Sequence, residues 1–323
     1  MLYPLKFKPQ LKEVLWGGGR LVAAGKKAAK GVNPAMVGES WELCGLEGRE
    51  SVVTNGMLKA NDIAELTEVY MGELVGDGVY DKYGVEFPLL LKFIDSHQQL
   101  SVQVHPTDEF VADEGLRGKT EMWYVVDAAP DSYIYLDWNR ALTEEEFDQA
   151  VENGTVENYL NRIAVAKGDA FLIPAGTVHS IGSGVVVAEV QESSDITYRI
   201  YDWNRPDANG QPRELHLDQA AQVVRLTPQS GLRITKHPKT GSAEELTSCD
   251  KFTVNLIAID GTLELDYAPL DSFVAYMCVE GSVTITGCGE SETIKELETV
   301  LIPAEATDIV LKGKGRMLEI FIK

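Results

Sequence analysis

Residues 168–179 read GDAFLIPAGTVH, a short apolar strand followed by a glycine turn and a histidine, and this stretch decides the fold reading. Its pattern is G-x5-P-x-G-x2-H, with Ala170–Pro174 as the strand. The core of the pattern returns near the C-terminus. Leu297–Asp308 carries the same Leu-Ile-Pro-Ala, with Glu305 in place of Gly176 and Asp308 in place of His179. Further back, Tyr124-Val125-Val126 and the strand after it resemble the run that starts at Tyr276. Tyr124 precedes Pro174 by 50 positions and Tyr276 precedes Pro303 by 27, a shortfall close to the helical interruption between residues 142 and 163. Hairpins can share a strand–turn pattern by chance. The matching deletion points instead to a repeat, two β-domains of which only the first keeps a ligand set.

The chain has 323 residues, with 29 Lys and Arg against 50 Asp and Glu and a net charge of −21. That balance excludes nucleic acid and anionic membrane as expected partners, since both require a basic surface. It also gives weight to any local cluster of arginines. No run of about 18 apolar residues is present, so no membrane span is expected. The opening MLYPLKFKPQL lacks a signal-type apolar core. Cys44, Cys249, Cys278 and Cys288 are scattered without a CxxC pair, which fits reduced thiols and a cytoplasmic protein.

Two Gly-rich motifs, Trp16-Gly17-Gly18-Gly19 and Gly38-Glu39-Ser40-Trp41-Glu42-Leu43, read as tight turns over an aromatic core residue. Residues 61–75 predict a helix, with Ile63, Leu66, Tyr70 and Leu74 on one stripe, an Asp62/Glu65 capping box, and Gly76 and Gly78 as its end. Pro88–Asp95 reads as a buried strand. Further strands are expected at Met122–Val126, Ser132–Leu136, Ile163–Ala166, Val185–Gln191 and Thr197–Trp203. Thr143-Glu144-Glu145-Glu146 opens a short helix that Asn153-Gly154 stops, Thr155–Arg162 reads as further helical turns, and 218–225 as another short helix.

Leu100–Pro106, LSVQVHP, alternates so that Ser101, Gln103 and His105 share one face. Gln103 and His105 can therefore point into one cavity, offering a carbonyl oxygen and an imidazole nitrogen. The G-x5-P-x-G-x2-H pattern resembles the second motif of the cupins, a jelly-roll superfamily in which the Pro-x-Gly turn aims a histidine into the barrel. With Glu121 from Lys119-Thr120-Glu121, the set Gln103, His105, Glu121 and His179 supplies two nitrogens and two oxygens. Such a set suits Zn2+ or another borderline divalent ion. His97, His216 and His237 read as structural or surface residues. The resemblance implies a mainly β fold: a cupin-type jelly-roll domain with helical insertions over 1–240, and a second, smaller cupin-like β-domain without metal ligands over 241–323.

LSVQVHP, Lys119-Thr120-Glu121-x-Trp123-Tyr124, GTVHSIG and Thr197–Trp203 together resemble the type I mannose-6-phosphate isomerases in their short bacterial form. The N-terminal Gly-rich motifs and Pro88–Asp95 fit the same family. The resemblance implies interconversion of mannose 6-phosphate and fructose 6-phosphate, one zinc ion per chain, and Gln103, His105, Glu121 and His179 as ligands. Short members are also described with only the two histidines and the glutamate. The family's active-site arginine falls on Arg199, and a second basic residue six positions on falls on Arg205. Both are candidates to grip a phosphate. Some longer members carry a histidine where this chain has Gly118, so no role assigned to that histidine transfers.

Lys119 is the candidate acid/base or the residue that orients the sugar oxygens, and a neighbouring cation is expected to depress its pKa. Arg199 is too basic for proton transfer, so phosphate binding and charge stabilisation are its expected roles. The partner is a sugar phosphate, and the chain is expected to be a monomer or weak homo-oligomer. Two rival readings exist. One is a mononuclear Fe(II) cupin dioxygenase, because two histidines and a carboxylate also describe that triad; the other is a non-catalytic sugar-binding cupin.

Overall fold

A computed structural model describes residues 2–206, 210–236 and 238–323. His237 lies outside the described residues. The strands are β1 (Gln10–Glu13), β2 (Val37–Cys44), β3 (Leu89–Ser96), β4 (Val102–Val104), β5 (Glu121–Ala128), β6 (Tyr133–Trp138), β7 (Leu160–Ala164), β8 (Ala170–Ile173), β9 (His179–Ile181) and β10 (Val185–Glu192). They continue with β11 (Tyr198–Tyr201), β12 (Arg233–Ile234), β13 (Ser242–Ser248), β14 (Thr253–Asp266), β15 (Val274–Gly287), β16 (Glu290–Lys295), β17 (Thr299–Ile302) and β18 (Asp308–Phe321). Among the described residues short α-helices interrupt them: α1 (Arg20–Ala23), α2 (Ile63–Tyr70), α3 (Gly72–Val75), α4 (Asp77–Tyr83), α5 (Asp108–Val111), α6 (Glu144–Glu152) and α7 (Leu217–Val223). The fold is mainly β, as the sequence implies. Among the described residues no helix is long and apolar enough to cross a membrane.

Two compact units divide the chain. One comprises Leu11–Ser40 and Phe93–Ile234; the other comprises Met1–Gln10, Trp41–Lys92 and Thr235–Lys323. The unit that holds residues 241–323 therefore also takes in 41–92, and neither unit is continuous in sequence.

In the first unit a five-stranded sheet runs β11-β4-β9-β6-β7, and β10, β5, β8 and β12 neighbour one another in a seven-stranded sheet ordered β1-β2-β3-β10-β5-β8-β12. Trp123, Val125, Phe171 and Ile173 from one sheet and Ile134, Leu136 and Ile181 from the other meet in a single core. This is a sandwich, and its two inner faces alternate with outer ones along each strand. On the outer face of the smaller sheet, Val102, Val104, Tyr135 and Ile200 pack with Phe147 and Ala150 of α6 and Ala220 of α7. Because Val102 and Val104 face outward, Gln103 between them faces the interior.

The helical segments show where local pattern and structure part. The Asp62/Glu65 and Thr143/Glu146 capping boxes both form. The helix expected over 61–75 breaks at Met71, whose φ of 46° and ψ of −125° are incompatible with a continuous helix. Gly76, with φ of 96°, ends α3, but Gly78 does not stop anything; it sits inside α4. Thr155–Arg162 is helical only over Val156–Tyr159 and then becomes β7, because Leu160–Ala164 finds a strand partner in β6. Trp16 is buried, as the turn reading expects, and Asp95 accepts from Arg20 N at 2.7 Å and Arg20 Nε at 2.6 Å, fixing the start of α1.

The C-terminal sheet runs β13-β14-β18-β15-β16, with β17 also on β15. Its core is formed by residues such as Ile257, Tyr276, Val283, Val300, Leu311 and Met317. The repeat is real at the level of register. β5 pairs with β8 so that Met122 faces Leu172 and Trp123 faces Phe171; β15 pairs with β17 so that Ala275 faces Leu301 and Tyr276 faces Val300. With the Leu-Ile-Pro-Ala segments superposed, Tyr276 answers to Trp123 rather than to Tyr124. The sequence alignment is therefore one residue out, because two adjacent aromatics left the choice to residue type rather than to pairing.

Candidate metal centre

His105, Glu121 and His179 bring one ligand atom each to within 4.8 Å of one another. All three side chains are buried, at 1%, 0% and 0% exposure. Strands of both sheets of the sandwich place them. Gln103 on β4 stands opposite His179 on β9 and also opposite Arg199 on β11. Directly paired residues present side chains on the same face, so all three are directed to one interior. Glu121 opens β5 and stands opposite Gln191 on β10.

Two glycines close the local geometry. Gly176, in the Pro-Ala-Gly turn, has a φ of 84° that side-chain-bearing residues rarely adopt, and its N–H donates to His105 O at 2.8 Å. The turn that delivers His179 is thereby tied to the other histidine. A Cβ on Gly118 would stand 2.5 Å from Asp108 N, so only glycine lets this loop lie on the backbone after His105. That close approach carries Lys119, whose N–H donates to Pro106 O at 3.0 Å.

The donor atoms are oriented as a metal requires. His105 donates from Nδ1 to Ile196 O at 2.7 Å, and His179 from Nδ1 to Thr177 O at 2.8 Å. Each ring therefore carries its proton on Nδ1 and turns the Nε2 lone pair toward the carboxylate, the backbone-fixed tautomer of ligating histidines. His105 Nε2 lies 3.6 Å from Glu121 Oε2, and His179 Nε2 lies 3.2 Å from Glu121 Oε1. Burial lowers the His179 pKa to about 4, with the Lys119 charge acting the same way against the Thr177 hydrogen bond; the ring is neutral at pH 7. Gln103 Nε2 lies 3.2 Å from His179 Nε2, and a flip of the amide puts its carbonyl oxygen in that place. Two neutral imidazoles and one carboxylate, with an amide beside them, fit a borderline divalent ion.

Lys119 completes the centre, with Nζ at 3.0 Å from Glu121 Oε2 and 3.2 Å from His105 Nε2. Its expected pKa depression is not what the surrounding side chains produce. Burial lowers it, but the charges of Glu121, Glu189 and Glu39 together raise it above the ordinary lysine value. Trp123 forms one wall, its ring edge-on to His179 at 5.4 Å between centroids, and donates from Nε1 to Glu189 Oε2 at 2.8 Å.

The two arginines differ. Arg199 donates from Nη1 to Glu214 O at 2.6 Å, while its buried Nε has no hydrogen-bond partner among the described residues. Arg205 is committed to Asp202 Oδ1 at 2.7 Å and Gln99 O at 2.9 Å. Asp202 also receives a bidentate pair from Arg213, both bonds at 2.6 Å. Sequence reading missed Glu39, Glu189 and Arg213. Glu189 left a trace, a charged residue inside the otherwise apolar run Val185–Val190. Arg213 left none, since only folding brings it to Asp202.

Comparison with known proteins agrees with this geometry. Residues 4–137 match the family described as phosphomannose isomerase type I, catalytic domain, and residues 242–322 match the mannose-6-phosphate isomerase cupin domain. Mannose-6-phosphate isomerase ManA of Bacillus subtilis (strain 168) is 36% identical over 318 residues, covering 96% of both chains. The chain belongs to the type I phosphomannose isomerase family. Another relative, the mannose-6-phosphate isomerase of Streptococcus mutans, is 34% identical over 88% of both chains. A crystal structure of the mannose 6-phosphate isomerase from Bacillus subtilis superposes with a TM-score of 0.88 at 30% identity, covering 99% of each chain. Family membership stands against both rival readings, the Fe(II) dioxygenase and the non-catalytic cupin. Of the candidate site, the catalytic-domain match contains Gln103, His105, Lys119 and Glu121; His179 and Arg199 lie beyond it.

Proposed function

We propose that the chain interconverts mannose 6-phosphate and fructose 6-phosphate, with one Zn2+ held by His105, Glu121 and His179 and with Gln103 beside it. The observation that carries this reading is the buried triad whose histidines are both fixed through Nδ1, in a chain of this family. Bound there, a divalent ion supplies Lewis acidity toward the sugar's carbonyl and hydroxyl oxygens. The chain's own residues do the rest. Lys119, whose Nζ touches both Glu121 and His105, stands where it can donate to a sugar oxygen and handle the proton that moves between C1 and C2. Arg199 faces the same interior and receives the phosphate, with Arg205 at the rim. Trp123 and the buried strands around it exclude water.

The four cysteines form no disulfide, which supports a reducing, cytoplasmic setting. We take the working form to be a monomer or weak homo-oligomer. A coupled assay of fructose 6-phosphate formed from mannose 6-phosphate tests the reading, with Arg199→Ala as the informative variant. That variant is expected to lose catalytic efficiency by about a hundredfold while keeping its zinc. Loss of zinc with the arginine would make Arg199 structural and overturn its assignment.

A further inference from the structure

The segment Arg213–His216 is bound to β11 and the turn after it by a set of backbone and side-chain hydrogen bonds. Arg199 Nη1 donates to Glu214 O at 2.6 Å, His216 N donates to Arg199 O at 2.8 Å, and Arg199 N donates to His216 Nδ1 at 3.2 Å. Arg213 donates from Nε to Asp202 Oδ2 and from Nη2 to Asp202 Oδ1, and Arg205 Nη2 donates to the same Oδ1. Asp202 is 5% exposed and held by the guanidinium groups of Arg205 and Arg213, with the Arg199 guanidinium near enough to feel its charge. The local charge is strongly positive in a chain whose net charge is −21. Against these three guanidinium groups stand the carboxylates of Asp202 and Glu214, which leaves an excess of positive charge suited to an anionic phosphate.

We infer that Arg213 is a positioning residue for the substrate's phosphate: its fork fixes Asp202, and through Asp202 and the 213–216 segment it holds Arg205 and Arg199 in the orientation that receives the anion. This rests on the reading of Arg199 as the phosphate residue. Arg213 does not touch substrate. Its side chain is spent on Asp202, and a planar, bidentate fork is what such a clamp requires.

Inorganic phosphate is the probe, used as a competitive inhibitor of the zinc-loaded enzyme alongside KM and kcat for mannose 6-phosphate. Arg213→Met is expected to raise both the phosphate inhibition constant and KM by about tenfold, with kcat changed less than about threefold. Arg213→Lys recovers less than half of that loss, because an ammonium cannot make the paired bonds. Asp202→Asn added to Arg213→Met costs less than about a further twofold, since both break one clamp. A fall in kcat with unchanged inhibition by phosphate overturns the assignment, as does full rescue by lysine. Should Arg213→Met fail to fold, Arg213→Lys is read alone, and an unchanged inhibition constant there overturns it. Arg199→Ala separates the two readings. If phosphate inhibition weakens in that variant but not in Arg213→Met, only this inference fails; if it weakens in neither, the phosphate reading of Arg199 fails and takes this inference with it.

Discussion

The sheet that carries Glu121, with the sheet of His179 packed against it, and the sheet that carries Asp308 share a hydrogen-bonded frame and differ in what fills it. Register fixes the correspondence. Trp123 faces Glu189 across β5 and β10, and Tyr276 faces Glu319 across β15 and β18. In both places a buried aromatic residue lies against a buried glutamate. In the first sheet Trp123 donates to Glu189 directly; in the second, Tyr276 donates to the Tyr267 hydroxyl, which donates to Glu319. Asn255 Nδ2 satisfies the other oxygen of Glu319 at 2.6 Å. The metal positions have gone. Glu121 is answered by Val274, His179 by Asp308 and Gln103 by Asp266, which stands opposite Asp308 on β14. Asp266 and Asp308 are exposed and Val274 is buried, so no donor set converges.

The difference shows that the frame itself does not specify chemistry. Four positions do. A sheet can bury one glutamate in either interior because hydrogen bonds satisfy it. Only the first also buries two histidines and a second carboxylate, a concentration of polar groups justified by a ligand rather than by stability.

The comparison can be broken from either side. The largest effect is expected from Glu121→Val, which writes the second sheet's residue into the first. Metal content and kcat/KM should both fall by about a hundredfold or more, measured by metal analysis and the coupled assay. Retention of metal would show that the two histidines suffice. The reverse change, Val274→Glu, places a carboxylate in a site 2% exposed and should destabilise the fold by about 2–4 kcal/mol in urea unfolding. Combined with Asp308→His it should still bind no second metal, because Tyr267, Tyr276 and Glu319 occupy that interior. A second equivalent of zinc would contradict this.

A smaller effect is expected from Tyr276→Phe, which removes one hydroxyl from the chain that ends on Glu319. Stability should drop by about 1–2 kcal/mol with kcat unchanged. The smallest is a pH effect. Burial raises the Glu319 pKa above its ordinary 4.5, against the Tyr267 and Asn255 hydrogen bonds. A raised folded pKa means that this group's stabilisation is fully present below about pH 4.5 and is lost as pH rises through the folded value. Glu319→Gln should therefore gain on the wild type as pH rises from 4.5 toward 7, followed by thermal unfolding. A constant difference across that range would mean that Glu319 titrates normally.

Much of the site could be read from sequence because its residues sit in short, strongly patterned segments. The alternation of LSVQVHP gives Gln103 its inward face, and Pro174-x-Gly176 fixes the turn before His179. What could not be read depends on pairing between distant strands. The one-residue slip between Tyr124 and Trp123 is a register question, and only the β5–β8 ladder answers it. β4 is three residues long, shorter than the alternating stretch implies, because the chain turns at Pro106 to carry the loop that Gly118 closes. The interleaving of 41–92 with 235–323 leaves no local mark at all. Arg213 belongs to the same class, meaningful only beside Asp202. The charge environment of Lys119 was hidden for the same reason: besides Glu121, the carboxylates that raise its pKa, Glu189 and Glu39, come from strands far away in sequence.

The central claim is that one metal ion, held by His105, Glu121 and His179, makes the two-sheet sandwich an isomerase and that the C-terminal sheet holds none. Metal analysis of the purified chain, combined with chelation and back-titration in the coupled assay, tests it most directly. One equivalent of zinc per chain, activity lost on its removal, and full recovery at one added equivalent is the result expected. Undiminished fructose 6-phosphate formation after the metal is gone, or recovery only at two equivalents, would contradict it.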